Sequence, residues 1–206
     1  MYNIYVVEGP AGAGKSTWIK KQLMNTNSFE ALRTPFSPSR FPTDYPDTLT
    51  MMSVSNDLNK LLAALEIIRI LHMNTVHDMD YNIYVDRGFL SEHIYGMIRR
   101  KDQALVSLPS PLSVLDQMDR ALNLLLHELT DRSLPGTYPP LSEVSIYLAL
   151  ILPPSEQDLL SRRRLCGKEY PAGLADYHLY LEFAQQGRAV NPDMDHYKAE
   201  VSYDLP

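Results

Sequence analysis

The chain of 206 residues carries 25 acidic and 19 basic residues, which gives a formal net charge of −6 at pH 7. This length suits one domain with a substantial core, and the acidic balance argues against a large nucleic-acid or anionic membrane surface without excluding a local basic groove. The one cysteine, Cys166, excludes an intrachain disulfide and fits a reducing compartment. The first residues lack a basic region and no run approaches the roughly 18 apolar residues of a membrane span, so we expect no signal peptide, no membrane partner and a cytoplasmic location.

The chain begins with an apolar run, residues 3–8, that predicts a strand, and residues 16–25 have the composition of a helix. Between them stands G-P-A-G-A-G-K-S, a complete G-x-x-x-x-G-K-S phosphate-loop motif in the strand-loop-helix context that it requires. Backbone N–H groups of such a loop and the positive end of the following helix bind polyphosphates. The motif predicts ATP binding, with Lys15 on the β- and γ-phosphates and Ser16 on Mg²⁺, through Gly9, Pro10, Ala11, Gly12, Ala13, Gly14, Lys15, Ser16 and Thr17.

The rest of the chain alternates strands with helices. Apolar periodicity and breaker residues predict strands at 30–35, 82–85, 144–152 and 197–203, and helices at 51–79, 88–101, 112–132, 155–165 and 174–186. A proline-rich loop at 36–46 follows the second strand, and its Phe36, Phe41 and Tyr45 are candidates to stack on a base or to pack within the loop. Trp18, just after the phosphate loop, is expected to pack on the sheet.

This alternation predicts an α/β fold, a P-loop three-layer sandwich with a five-stranded parallel sheet and helices on both faces. No linker divides the chain, so we expect residues 1–206 to form a single P-loop domain with a short lid at about 161–173. Ligands of such sheets lie beyond the carboxyl ends of the strands, where the phosphate loop, Arg33, Asp86 and Arg87 would converge.

The chemistry of phosphoryl transfer requires Mg²⁺, cations around the transferred group and a positioned acceptor. Asp86, at the tip of the third predicted strand, is a natural carboxylate for Mg²⁺, and Arg87 could bind an acceptor phosphate or the transferring group. Three arginines at 162–164 precede a glycine-containing break, and we expect Arg162 and Lys168 to reach the phosphates when the lid closes. The alternative interpretation of Asp86 and Arg87 is a surface ion pair, and that of the three arginines is a solvated basic helix face.

These motifs together resemble the thymidylate kinase and deoxynucleoside kinase superfamily of P-loop kinases. Residues 8–17 are similar to its E-G-x-x-G-A-G-K-S-T, and residues 86–95 to its D-R-x-x-x-S-x-x-x-Y, which ends at Tyr95. Arg69 and His72 resemble the R-x-x-H that thymidylate kinases carry beside the base pocket, and residues 162–169 resemble the deoxynucleoside kinase lid. The resemblance implies an acceptor site formed by Glu8, Arg33, Phe36, Arg69, Arg87 and Tyr95.

Two positions depart from that pattern. Ala11 stands where thymidylate kinases have an acidic residue, and Thr34 stands where both branches usually have the glutamate of a Glu-Pro pair, which is the base in nucleoside kinases. Threonine cannot remove a proton from a 5′-hydroxyl. The departure favours an acceptor that is already a phosphate, because its oxygen is ionised at neutral pH, and Arg33 could contact it.

Three functions remain open from the sequence. The first is ATP-dependent transfer of the γ-phosphate to a deoxynucleoside monophosphate, with the small nucleotide held between residues 33–45 and the helix at 58–72. The second is a phage kinase that phosphorylates a hydroxymethylated pyrimidine in DNA, with Asp86 or Glu8 as base, and such a protein would work in the host cytoplasm. The third is a non-catalytic module gated by nucleotide. A homodimer stays open in each case.

Overall fold

The computed structural model describes residues 1–25, 27–31, 46–74, 79–99, 107–167, 173–190 and 197–198. In it, a parallel sheet lies between two helical layers. The central strand β1 (Tyr2–Glu8) pairs with β3 (Tyr81–Asp86) on one side and with β4 (Val144–Leu150) on the other. Beyond β3 lies β2 (Ser28–Glu30), and β5 (Tyr197–Lys198) pairs with β4, so the strand order is β2-β3-β1-β4-β5.

Six helices cover the sheet within the described residues. They are α1 (Lys15–Gln22), α2 (Pro46–Asn74), α3 (Phe89–Arg99), α4 (Pro111–Asp131), α5 (Glu156–Leu165) and α6 (Ala175–Val190). The larger core cluster joins one face of the sheet to buried apolar side chains of α2, α3, α4 and α6, whereas α1 packs on the opposite face through Ile19. None of the described helices has both the length and the apolar character that crossing a membrane would need.

Local sequence explains several of the boundaries. The hydroxyl of Ser110 caps α4 by accepting from the Ser113 amide at 3.2 Å, and Pro111 starts that helix without an N–H to satisfy. Ser155 caps α5 in the same way, accepting from the Asp158 amide at 3.1 Å. The cap at Ser155 starts α5 after a short connection from β4. This connection brings α5 back over the phosphate loop.

The predicted α/β architecture is confirmed, with corrections at both sheet edges. The four strands β1 to β4 span three residues or more, whereas only Tyr197–Lys198 of the fifth predicted strand, 197–203, belong to the described part of the chain, and these two residues pair with β4. The second strand ends at Glu30 instead of beginning there, and residues 32–45 lie outside the described part of the chain. Both are edge strands, and edge strands receive hydrogen bonds from one side only, so their sequences carry a weaker signal. Trp18 packs edge-on to Tyr84, with ring centroids 5.6 Å apart, as predicted.

Gly9 shows why the chain can turn directly from β1 into the phosphate loop. Its backbone has φ +147°, and a Cβ atom there would lie 2.2 Å from the carbonyl oxygen of Ile151. That distance is far below van der Waals contact, and the conformation is accessible almost exclusively to glycine. The loop therefore needs glycine at this position for both space and backbone geometry.

We expect Gly9→Ala to lower the free energy of unfolding by at least about 2 kcal/mol more than Gly136→Ala does, because only Gly9 combines a positive φ with a backbone clash. Gly136 is the matched control: its φ is +79°, but nothing lies within 4 Å of its added Cβ. Urea unfolding of the two variants measures the difference. Equal losses would contradict the close approach of Gly9 to Ile151.

Candidate active site

The phosphate loop lies at the carboxyl end of the central strand. Gly14 adopts a left-handed conformation and is the N-cap of α1. The first turn of that helix, with exposed Ser16 and Thr17, therefore follows the loop directly. The Lys15 ammonium donates to the carbonyl oxygens of Gly9 and Pro10, at 2.8 Å each. Burial and the nearby Arg87 charge lower the pKa of Lys15 to about 7. An anion such as a polyphosphate would counter both effects and favour the charged lysine.

A strained turn at the end of β3 lies beside this loop. Arg87 has φ +61°, which is unusual for a residue other than glycine, and its amide donates to the Val7 carbonyl at 2.9 Å. The buried Lys60 of α2 donates to the carbonyls of Asp86 and Arg87, at 3.1 and 2.7 Å. The Arg87 guanidinium lies 5.2 Å from the centre of the Tyr95 ring, a cation–π contact. These contacts hold the Asp86-Arg87 turn in a conformation that costs of order 1–3 kcal/mol.

Asp86 has a buried carboxylate oxygen, Oδ1, without a hydrogen-bond partner in the described structure. An unpaired buried oxygen is costly unless a cation or a donor reaches it. Its charge acts on Lys15 and so belongs to the same site. Among the described residues no three His, Cys, Asp or Glu side chains form a metal cluster, but Mg²⁺ bound with nucleotide typically needs only one or two protein carboxylates. An oxygen-only ligand set of Asp86 with the Ser16 hydroxyl fits this ion.

Glu8, the last residue of β1, is fully buried next to the phosphate loop. Its Oε1 accepts from the Gly88 amide at 2.8 Å and the Ser91 amide at 3.2 Å. Its Oε2 accepts from the Ser91 hydroxyl and, at 3.0 Å, from the Tyr180 hydroxyl. The carboxyl group therefore ties β1 to α3 and α6. We predicted a substrate contact for Glu8, but the structure surrounds it with protein donors instead.

The triple-arginine segment of α5 lies over the phosphate loop. Arg162 donates to the Ala13 carbonyl at 2.8 Å, and Arg163 donates to the Ala11 carbonyl at 2.8 Å. Arg163 also pairs with Asp176 of α6, and the Tyr95 hydroxyl donates to Asp176 at 3.1 Å. Arg162 thus contacts the loop backbone, and Tyr95 contacts the carboxylate beside the loop, while their predicted roles toward phosphate and substrate stay predictions.

Arg69 does not reach the site. It lies on α2 and donates to the Glu66 carboxylate at 2.9 and 3.0 Å, and His72 one turn later contacts the Tyr2 hydroxyl at 3.3 Å. Tyr2 is the first residue of β1, whereas Lys60 of the same helix touches the opposite end of the sheet. The described contacts of Arg69 and His72 are thus within the protein, and their place beside a base pocket stays a prediction. The other acceptor and lid candidates, Arg33, Phe36 and Lys168, lie outside the described residues.

Three residues at the site escaped the sequence analysis: Lys60, Arg163 and Asp176. Lys60 is a lone cation on a mostly apolar helix stretch, which was a usable signal for a buried role. Arg163 stands in the arginine run that we noticed, but the run alone does not tell which member is buried. Asp176 reads as an ordinary acidic residue in the first turn of a helix, and its sequence context gives no further signal.

Comparisons with known proteins add little to this geometry. No family model matches the chain, and neither does any curated protein. A structure of deoxyadenosine kinase from M. mycoides with bound dATP is 16% identical, with a TM-score of 0.48, over 98% of this chain and 92% of that one. A second structure of that enzyme, with the products dCMP and a flexible dCDP bound, is 13% identical, with a TM-score of 0.39, over 97% and 90% of the two chains. Likenesses this low do not indicate what this chain acts on.

We expect Glu8→Gln to be less harmful to stability at high pH than at low pH. Burial raises the pKa of the Glu8 carboxyl above the usual 4.5, so the folded protein binds a proton that the unfolded chain releases. The stabilisation from that proton is fully present below pH 4.5 and is lost as the pH rises through the raised pKa. Glutamine is neutral throughout and can accept from the two amides while its NH₂ group faces Ser91 and Tyr180.

Urea unfolding between about pH 5 and 8 measures this as the free energy of unfolding of wild type minus that of the variant. The difference should fall as the pH rises. Glu182→Gln, which makes the same chemical change at an exposed carboxyl on α6, is the control. A Glu8→Gln difference that is flat or rises with pH would contradict the raised pKa.

Proposed function

We propose that the protein is a Mg²⁺- and ATP-dependent phosphotransferase that passes the γ-phosphate to a deoxynucleoside monophosphate. The observation that carries the proposal is the convergence of the phosphate loop, Lys15 and the Asp86-Arg87 turn at one edge of the sheet, close enough for their charges to interact. Two cations and one unpaired carboxylate oxygen match the needs of phosphoryl transfer, in which charge spreads over the transferred group.

Each side chain has a defined task in this proposal. The Lys15 ammonium, now on loop carbonyls, would turn to the β- and γ-phosphate oxygens, and the Arg87 guanidinium would neutralise charge on the transferred or acceptor phosphate. Asp86 and Ser16 would bind Mg²⁺, which supplies Lewis-acid polarisation of the phosphate oxygens. Arg162, with Lys168 as a further candidate, would add positive charge from above the loop. The site works by positioning and electrostatics, with little covalent chemistry for the protein to perform.

The acceptor is inferred from the carboxylates. Glu8 is enclosed by donors, and Asp176 is occupied by Arg163, Tyr95 and a loop amide. Of the described carboxylates that interact with Lys15, this leaves only Asp86, the proposed metal ligand. A hydroxyl acceptor needs a base, whereas a monophosphate presents an oxygen already ionised at neutral pH. This supports a monophosphate over a hydroxymethylated base in DNA, for which Asp86 would be the one base that the described residues offer beside Lys15. Arg33 and Phe36 remain candidates for contacts to the nucleotide.

We expect Lys15→Ala to lower the rate of phosphate transfer at least about 1,000-fold, because the variant loses the cation that stabilises the developing charge. Lys20→Ala is the matched control, since Lys20 is exposed on the same helix and should be dispensable. Transfer from labelled ATP is the measurement, with circular dichroism to check the fold of both variants. Undiminished transfer by a folded Lys15→Ala protein would overturn the proposed function.

A further inference from the structure

A buried ion pair joins the helices on either side of the predicted lid. Arg163, on α5, has a side chain that is 5% exposed, and Asp176, on α6, is fully buried. The guanidinium Nη2 donates to both carboxylate oxygens, at 2.8 and 2.9 Å. Burying two charges costs desolvation energy that their mutual attraction often fails to recover. The pair is therefore a poor device for stability alone, and its other contacts indicate what it does.

The pair binds the phosphate loop at a single residue. The Ala11 amide donates to Asp176 Oδ2 at 2.9 Å, and the Ala11 carbonyl accepts from Arg163 Nε at 2.8 Å. Arg163 Nη1 donates to the Gly173 carbonyl, so each edge of the guanidinium is engaged. A phosphate loop turns N–H groups toward its ligand, and the carbonyls that point away need donors of their own. Arg163 supplies one such donor, and Arg162 supplies another to Ala13.

The Asp176 carboxylate is also connected, through Tyr95, to the Asp86-Arg87 turn. Asp176 Oδ2 accepts from the Tyr95 hydroxyl at 3.1 Å, and the Tyr95 ring lies against the Arg87 guanidinium. The Asp176 carboxylate thus contacts both the loop proposed for ATP and the residue that orients Arg87. It accepts five hydrogen bonds from four donor groups: two from Arg163 Nη2 and one each from the Ala11 amide, the Tyr95 hydroxyl and the Tyr177 amide.

We propose that the Arg163–Asp176 pair is a positioning device that holds the phosphate loop in its ligand-binding conformation and, through Tyr95, aligns Arg87 with it. The proposal rests on the proposed function for its substrate, but its first consequence is nucleotide affinity, which is measured without any transfer. Without the pair, the Ala11 amide loses its hydrogen bond to Asp176 and the Ala11 carbonyl loses its hydrogen bond from Arg163, so the loop samples conformations that do not bind. The apparent affinity then falls by the fraction of molecules that remain competent.

The experiment compares wild type with Arg163→Met/Asp176→Leu, a double variant that removes both charges and so buries no unpaired one. The control is Arg120→Met/Asp116→Leu, which removes an exposed ion pair on α4. ATP affinity is measured by calorimetry and by the fluorescence of Trp18, the one tryptophan, which follows the loop directly. Thermal unfolding reports the stability of each protein.

We expect the double variant to bind ATP about tenfold more weakly or worse, with a melting temperature close to that of wild type, and the control to bind normally. Arg163→Lys keeps the charge but loses the planar fork, so it should weaken binding by a smaller factor and decides the matter if the double variant does not fold. Wild-type affinity in either folded variant would overturn the positioning role.

A separate variant tests whether Tyr95 aligns Arg87. Tyr95→Phe removes only the hydroxyl that reaches Asp176, and we expect it to lower kcat more than it raises the KM for ATP. An unchanged kcat would remove Tyr95 from the proposal. If wild type binds ATP but transfers phosphate to no acceptor, the proposed function fails while the affinity comparison still decides the role of the pair. If wild type binds no nucleotide, both fail.

Discussion

The geometry of the site depends on the buried carboxyl group of Glu8. Glu8 ends β1 immediately before the phosphate loop, and its two oxygens bind the Gly88 amide, the Ser91 amide and hydroxyl, and the Tyr180 hydroxyl. One side chain thereby fixes the position of the loop relative to the turn after β3 and to α6. Burying a carboxyl group is costly unless donors surround it, and here four donors do so. The phosphate loop and the Asp86-Arg87 turn are thus held in position by a residue that need not touch a ligand.

The charged groups around the phosphate loop fall into two classes. Glu8 and Asp176 are surrounded by donors from the protein, and Arg163 is surrounded by acceptors. In the described part of the chain, Lys15 donates to loop carbonyls and Asp86 keeps one unpaired oxygen. Polar groups left underused in a buried position are where a ligand has most to contribute. This contrast separates the residues proposed to act on a nucleotide from those that position them.

Sequence reasoning predicts the parts of this molecule that are local. The phosphate loop, β4 and the capped helices α4 and α5 follow from motifs, apolar runs and serine caps that each span a few residues. What it does not predict is long-range. Arg69 lies nine residues beyond Lys60 on α2, about 13 Å along the axis at 1.5 Å per residue, and this separation from the phosphate loop cannot be read from the motif. Arg163 and Asp176 become partners only when α5 and α6 pack, which no local pattern encodes.

Transfer of phosphate to an acceptor that is already a phosphate is the activity proposed for this site, and one screen of wild-type protein tests it. γ-Labelled ATP and Mg²⁺ are offered with deoxynucleosides, deoxynucleoside monophosphates and DNA oligomers that contain hydroxymethylated pyrimidines. We expect label on one or more monophosphates, none on nucleosides or DNA, and no transfer when the metal is chelated. Label on nucleosides or DNA, or no label on any acceptor despite ATP binding, would contradict it.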